Sequence, residues 1–232
     1  MAKAAAVIPA AAFEFLRGLA ENNDKPWFEA NRATFERAVK QPLAALVGEV
    51  GAELTRRGLP LEGDPKRSTF RIHRDIRFSK DKRPYKTQLG TLWYRQGGGK
   101  PGGGVLYFHL APGGCFTAAA FYQPEPDILD CIRERIRVRS EEFLAAQAEL
   151  AKGGLKLSQE DAVSRMPQGY EDLQGSDVAD AVRLRSFMVS RKLTDKQATS
   201  PKLIPLLADM AQDALPLLRF GWAAVDEVRA GV

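Results

Sequence analysis

Cysteine and histidine are scarce: Cys115, Cys131, His73 and His109 are the only ones in 232 residues. Two cysteines cannot build a disulfide framework or a Cys-based zinc site, and they read as small buried apolar residues in a reducing compartment. No apolar run approaches the ~20 residues a spanning helix needs. The alanine-rich start, Met1 to Ala12, is interrupted by Pro9 and lacks the long apolar core of a signal peptide or anchor. A cytoplasmic protein with no membrane partner is the expectation. The glycine-rich run Gly97 to Gly104 lacks the Gly-Lys-Ser/Thr order and the following helix of a phosphate loop, and reads as a linker within a hairpin. Nothing in these patterns calls for a metal or a cofactor.

With 44% apolar and 9% aromatic residues, the chain can bury a proper core. Residues 1–232 read as one α+β domain. Phe13, Leu16 and Ala20 share a helical stripe that should end at Asn22-Asn23, and Asp24 with Pro26 starts a second helix running to Val39. After Pro42, the spacing of Leu43, Leu46, Val47, Val50 and Leu54 predicts a third, ended by Gly58. Beyond Gly63-Asp64-Pro65 the period changes from about 3.6 to 2. Phe70 to Phe78, Gln88 to Tyr94, Val105 to Leu110 and Cys115 to Tyr122 then predict an antiparallel meander of four or more strands. A long helix over Asp127 to Lys152 has arginines at 133, 135, 137 and 139, read as a solvated face with exposed ion pairs. Leu184 to Val189 is a strand or a short helix. A last helix begins near Ser200-Pro201 and should stop at Pro216. The expected fold is an antiparallel sheet packed by amino-terminal helices and two long helices in the carboxy-terminal half.

Charge is distributed unevenly. Lys66 to Lys86 holds nine basic residues and two acidic ones, a local net of +7 in a chain whose total is +5, so the remainder is slightly negative. Crowded cations repel and need anions or carboxylates to offset them. Strand alternation places Arg71, His73, Asp75 and Arg77 in one row, about 7 Å between neighbours. Lys80, Lys82, Arg83 and Lys86 would widen the same positive surface. Guanidinium groups grip phosphate with paired hydrogen bonds, and Tyr85 among the cations suits stacking on a base. One reading is therefore a surface for a phosphorylated or polyanionic ligand, nucleic acid first among them. A second is architectural: Arg74 falls on the apolar face and needs an ion pair, and Asp75 or Asp81 can lock these arginines into a hairpin. A third is a phosphate-ester-processing enzyme using Asp75 with His73, or both histidines and Asp75 around a divalent metal. A fourth is a module that docks an acidic protein.

Arg71, Arg74, Asp75, Arg77, Phe78, Lys82, Tyr85 and Lys86 fit the pattern R-x-x-R-D-x-R-F-x-x-x-K-x-x-Y-K. It resembles the signature of a bacterial domain-of-unknown-function family of single-domain proteins of about this size. Asn22-Asn23 with Trp27-Phe28, Pro167-Gln168-Gly169-Tyr170 and the Leu184 to Val189 run are similar too, Gln168 standing where a basic residue is expected. The resemblance implies a family and no activity. Arg71, Arg77, Lys82, Arg83, Tyr85 and Lys86 are the expected ligand contacts, with Arg74 and Asp75 organising them.

Overall fold

The computed structural model describes residues 8–77, 79–98 and 103–230. Helix α1 (Ala10–Glu21) buries Phe13, Phe15, Leu16 and Leu19 along one side, and the backbone N–H of Asn22 closes it on Gly18. The side chain of Asp24 accepts from the Trp27 N–H, 2.8 Å away, to start α2 (Lys25–Ala30). The expected break before Pro42 is absent: α3 (Arg32–Thr34) runs through a π-helical stretch, Phe35–Lys40, into α4 (Gln41–Arg56). Proline in a continuing helix lacks a donor and collides with the carbonyl four residues back. The wider π turn accommodates that defect, the Gln41 N–H bonding to Glu36 five residues back. At the far end, Gly58 takes φ +68°, and the Leu59 N–H bonds to Leu54.

The five strands are β1 (Leu61–Glu62), β2 (Leu89–Arg95), β3 (Val105–Leu110), β4 (Phe116–Phe121) and β5 (Phe187–Lys192). They lie in that order in one antiparallel sheet, so the fold is α+β. In β3, Leu106, Phe108 and Leu110 are buried while Val105, Tyr107 and His109 are half-buried, the alternation of a sheet with one covered face. The expected strand from Phe70 to Phe78 is a correction. Among the described residues that stretch forms an isolated antiparallel bridge, His73 with Tyr85, and Thr69 just before it forms another with Thr91. The side chains of Asp75 and Asp81 instead accept the N–H groups of Arg77 and Arg83, local turns that draw donors away from a ladder, and Pro84 has no donor to give. Phe78 itself lies outside the described residues.

Two compact units organise the chain. The first gathers Met1–Trp93, Tyr107–Thr117 and Lys192–Asp209. Within it α1 and α4 pack against the π-helical stretch, α4 covers β1, and the buried Trp93 indole donates to the Val47 carbonyl at 3.0 Å. The short α8 (Asp195–Ala198) is closed at its start by a reciprocal pair of bonds between Thr194 and Gln197. The second unit gathers Tyr94–Leu106, Ala118–Arg191 and Met210–Val232. The long helix expected over Asp127 to Lys152 is two, α5 (Pro126–Val138) and α6 (Ser140–Lys152), parted by the non-helical backbone of Arg139. After α7 (Ala179–Val182) and β5, α9 (Leu203–Asp213) ends before Pro216 as expected. Pro216 then sits in the first turn of α10 (Leu215–Ala230), a helix the periodicity did not disclose. It packs on α5 and α6, with Phe143 and Phe220 centroids 5.1 Å apart.

Candidate functional site

The basic segment lies in the first unit, and its path is set by an aromatic cluster. Tyr85, 3% exposed, stacks on Phe28 with ring centroids 4.2 Å apart and an interplanar angle of 17°. Phe28 in turn meets Phe15 and Phe35 at 6.3 and 5.4 Å. Asn23 clamps the same residue by its backbone: the Tyr85 N–H donates to Asn23 Oδ1 at 3.0 Å, and Asn23 Nδ2 donates to the Tyr85 carbonyl at 3.1 Å. The two stretches, Asn22 to Phe28 and Tyr85, are thus one lock. Tyr85 was expected to stack a base; its ring is instead committed to the core, and burial raises its hydroxyl pKa above the ordinary value.

Most of the arginines also have internal partners. Arg77 makes a two-pronged pair with Asp75, at 3.0 and 2.7 Å. Asp81 receives Arg74 on one side and Arg83 on the other, together with the Arg83 backbone N–H. The burden Arg74 was expected to bring onto an apolar face is therefore met by Asp81. The Arg83 bonds, then the Arg74 bond, hold the Asp81 carboxyl well below the usual carboxylate range, and the Arg77 bonds lower that of Asp75. Lys82 donates to the Ile76 carbonyl at 3.0 Å from an exposed position.

Two motif cations remain. Arg71 is exposed and makes no hydrogen bond or ion pair among the described residues; its charge acts on Asp75 and on Lys86. Lys86 is half-buried, with its ammonium 5.6 Å from the centre of the Phe70 ring, and burial followed by the Arg71 charge lowers its pKa. Lys86 also lines a cleft of about 410 Å³, together with Arg74, Asp75, Asp81, Arg83, Tyr85, Thr87 and Gln88. Thr87 and Gln88 had no signal in the pattern. Phe70, expected to point inward, is 46% exposed.

The acid–base alternative finds less in this geometry. Both oxygens of Asp75 are engaged by Arg77, which keeps the carboxylate ionised and weakly basic. His73 lies against Phe28 and Tyr85, at 6.0 and 5.2 Å, while His109 pairs with the Tyr107 hydroxyl at 2.9 Å. Among the described residues no three His, Cys, Asp or Glu side chains converge as metal ligands. None of the described helices is long and apolar enough to cross a membrane.

The ion pairs predict an acid-sensitive segment. Asp81 is depressed in the folded chain, so its contribution is present above the ordinary aspartate value of 3.8 and is lost as pH falls through the lower folded value. Thermal melts of the wild type and Asp81→Asn should therefore differ at pH 7, and the difference should narrow as pH falls below 3.8. A gap that stays constant down to pH 2.5 would show that these pairs add no stability.

An antiparallel sheet flanked by helices, with a basic segment clamped at Tyr85 by an asparagine and an aromatic stack, defines an α+β protein. The chain belongs to the family described as Conserved hypothetical protein (DUF2461), whose family model matches residues 11–220. No curated protein and no solved structure matches it.

Proposed function

We propose that this protein binds a phosphate-bearing or polyanionic ligand through Arg71 and Lys86, beside the cleft flanked by Arg74 and Arg83. One observation carries the reading: within a motif whose other arginines are held by Asp75 or Asp81, Arg71 has no such partner, and Lys86 lies close enough to feel its charge. Arg71 and Lys86 repel each other, the nearby Asp75 carboxylate is already held by Arg77, and a bound anion removes that repulsion. Guanidinium and ammonium together suit a phosphate, one as a two-pronged donor and the other as a point charge. Nucleic acid is the polyanion named first, because its charge repeats along a chain as the cations repeat along this segment.

The test is binding of labelled single-stranded DNA, duplex DNA and RNA at low salt and near ~200 mM, beside Arg71→Ala/Lys86→Ala. Affinity should fall steeply with salt in the wild type, and the double variant should bind at least ~10-fold more weakly with a salt slope reduced by about two. Both side chains reach solvent, so the variant should melt within a few degrees of the wild type. No binding by the wild type would end the nucleic-acid reading, and equal binding by both proteins would end the assignment of the site to Arg71 and Lys86.

A further inference from the structure

Beside the two cations runs a row of rings that the basic motif does not include. Phe70 meets Tyr107 edge-on at 6.2 Å; Tyr107 meets Phe116 at 5.7 Å; and Phe116 stacks on His109 at 4.6 Å and 20°. All four belong to the first unit, and all keep exposed or half-exposed surface. The row is built into the sheet. At Gly90 of β2 a Cβ would come within 2.4 Å of the Tyr107 ring and hydroxyl, so the absence of a side chain there is what lets that ring lie across the strand. Its other end is fixed by the 2.9 Å bond between the Tyr107 hydroxyl and His109 Nδ1. Burial pushes the Tyr107 hydroxyl up to about 12 and lowers the His109 pKa, so at neutral pH the row carries no charge of its own. Positive charge stands at the Phe70 end, where Lys86 lies over the ring and Arg71 follows in sequence.

We infer that Phe70 and Tyr107 form a base-stacking platform, so that the ligand of the basic segment is single-stranded nucleic acid. The inference rests on the anion-binding reading above and adds the ligand class. Phosphates on Arg71 and Lys86 leave the attached bases beside the rings, and base faces offer π surface whatever their identity. In a duplex those faces are hidden by neighbouring pairs, and a bare phosphate chain has nothing for the rings to hold. An acidic polypeptide would use the cations and leave the row idle.

The deciding experiment measures fluorescence anisotropy with labelled oligodeoxythymidine, oligouridine, an abasic oligomer of equal length and inorganic polyphosphate. The proteins are the wild type, Phe70→Ala, Phe70→Trp and Arg71→Ala/Lys86→Ala. Wild type should prefer the base-bearing strands to the abasic one. Phe70→Ala should weaken them about 5- to 100-fold, leave the abasic strand and polyphosphate unchanged, and be rescued by Phe70→Trp. Equal wild-type affinity for abasic and base-bearing strands overturns the platform without any variant, as does a uniform loss across all four ligands in Phe70→Ala. In those cases polyphosphate binding that still depends on Arg71 and Lys86 leaves the anion site standing. If the wild type binds none of the four, both readings fall.

Discussion

Tyr85→Ala is expected to destabilise the protein by about 3–5 kcal/mol, the cost of truncating a buried aromatic that the surroundings cannot refill. For a chain of this size each kcal/mol moves the melting temperature by roughly 2–4 °C, so a fall of about 6–20 °C is the expected result. The ring is 3% exposed and stacked on Phe28, which itself touches Phe15 and Phe35, so removing it opens a cavity inside a shared cluster and strips Phe28 of its flattest contact. Tyr85→Phe keeps the stack and should melt within a few degrees of the wild type. If Tyr85→Ala melts there too, the ring does not anchor the segment, and a surface role for it returns. Asn23→Ala should fall between these, at about 1–3 kcal/mol, because the Tyr85 N–H and carbonyl lose their partner at a part-buried site.

Tyr85 also shows where sequence reasoning ran out. Its neighbours in the chain are cations, and local composition therefore placed it on a charged surface; the residues that bury it, Asn23 and Phe28, come from the far side of the first unit's sequence. Nothing in the spacing of Arg71 to Lys86 reports such a partner, although both stretches carried the family resemblance. Strands β2, β3 and β4 were legible because alternation and short turns act locally, and the buried Leu106, Phe108 and Leu110 match that alternation. The Phe70 to Phe78 segment imitated the same period. What broke the ladder was side-chain competition from Asp75 and Asp81, which a pattern of apolar and polar letters does not weigh. Pro42 misled in the opposite direction, being absorbed by a π turn where a break was expected. The split between α5 and α6 falls at Arg139, with neither glycine nor proline to announce it. At the candidate site, sequence supplied the cations; the structure separated those with internal partners from Arg71 and Lys86.

Arg133→Met should cost about 2–6 kcal/mol, from two carbonyls left unsatisfied at about 1–3 kcal/mol each. Arg133 was expected among the solvated arginines of its helix, yet it is 8% exposed, with Nε donating to the Val182 carbonyl and Nη2 to the Leu184 carbonyl, both at 3.0 Å. Burial lowers its pKa, but guanidinium stays charged at any working pH, so the ion must be held by what surrounds it. Asp130 stands 3.7 Å away and is largely exposed, which leaves the two carbonyls as the stronger restraint. They begin the Leu184 to Val189 run that resembles the family, so this arginine pins the chain just before β5. Methionine keeps much of the apolar stem and removes the donors together with the charge, so the cost of the unsatisfied carbonyls is read net of the relieved burial of an ion. Exposed Arg139, one and a half turns away on the sequence, supplies the control: Arg139→Met should change stability by no more than about 0.5 kcal/mol. Hydrogen exchange should show residues 182–192 opening first in Arg133→Met. Equal effects of the two substitutions would mean that the buried guanidinium is a passenger and that β5 does not depend on it for its place beside β4.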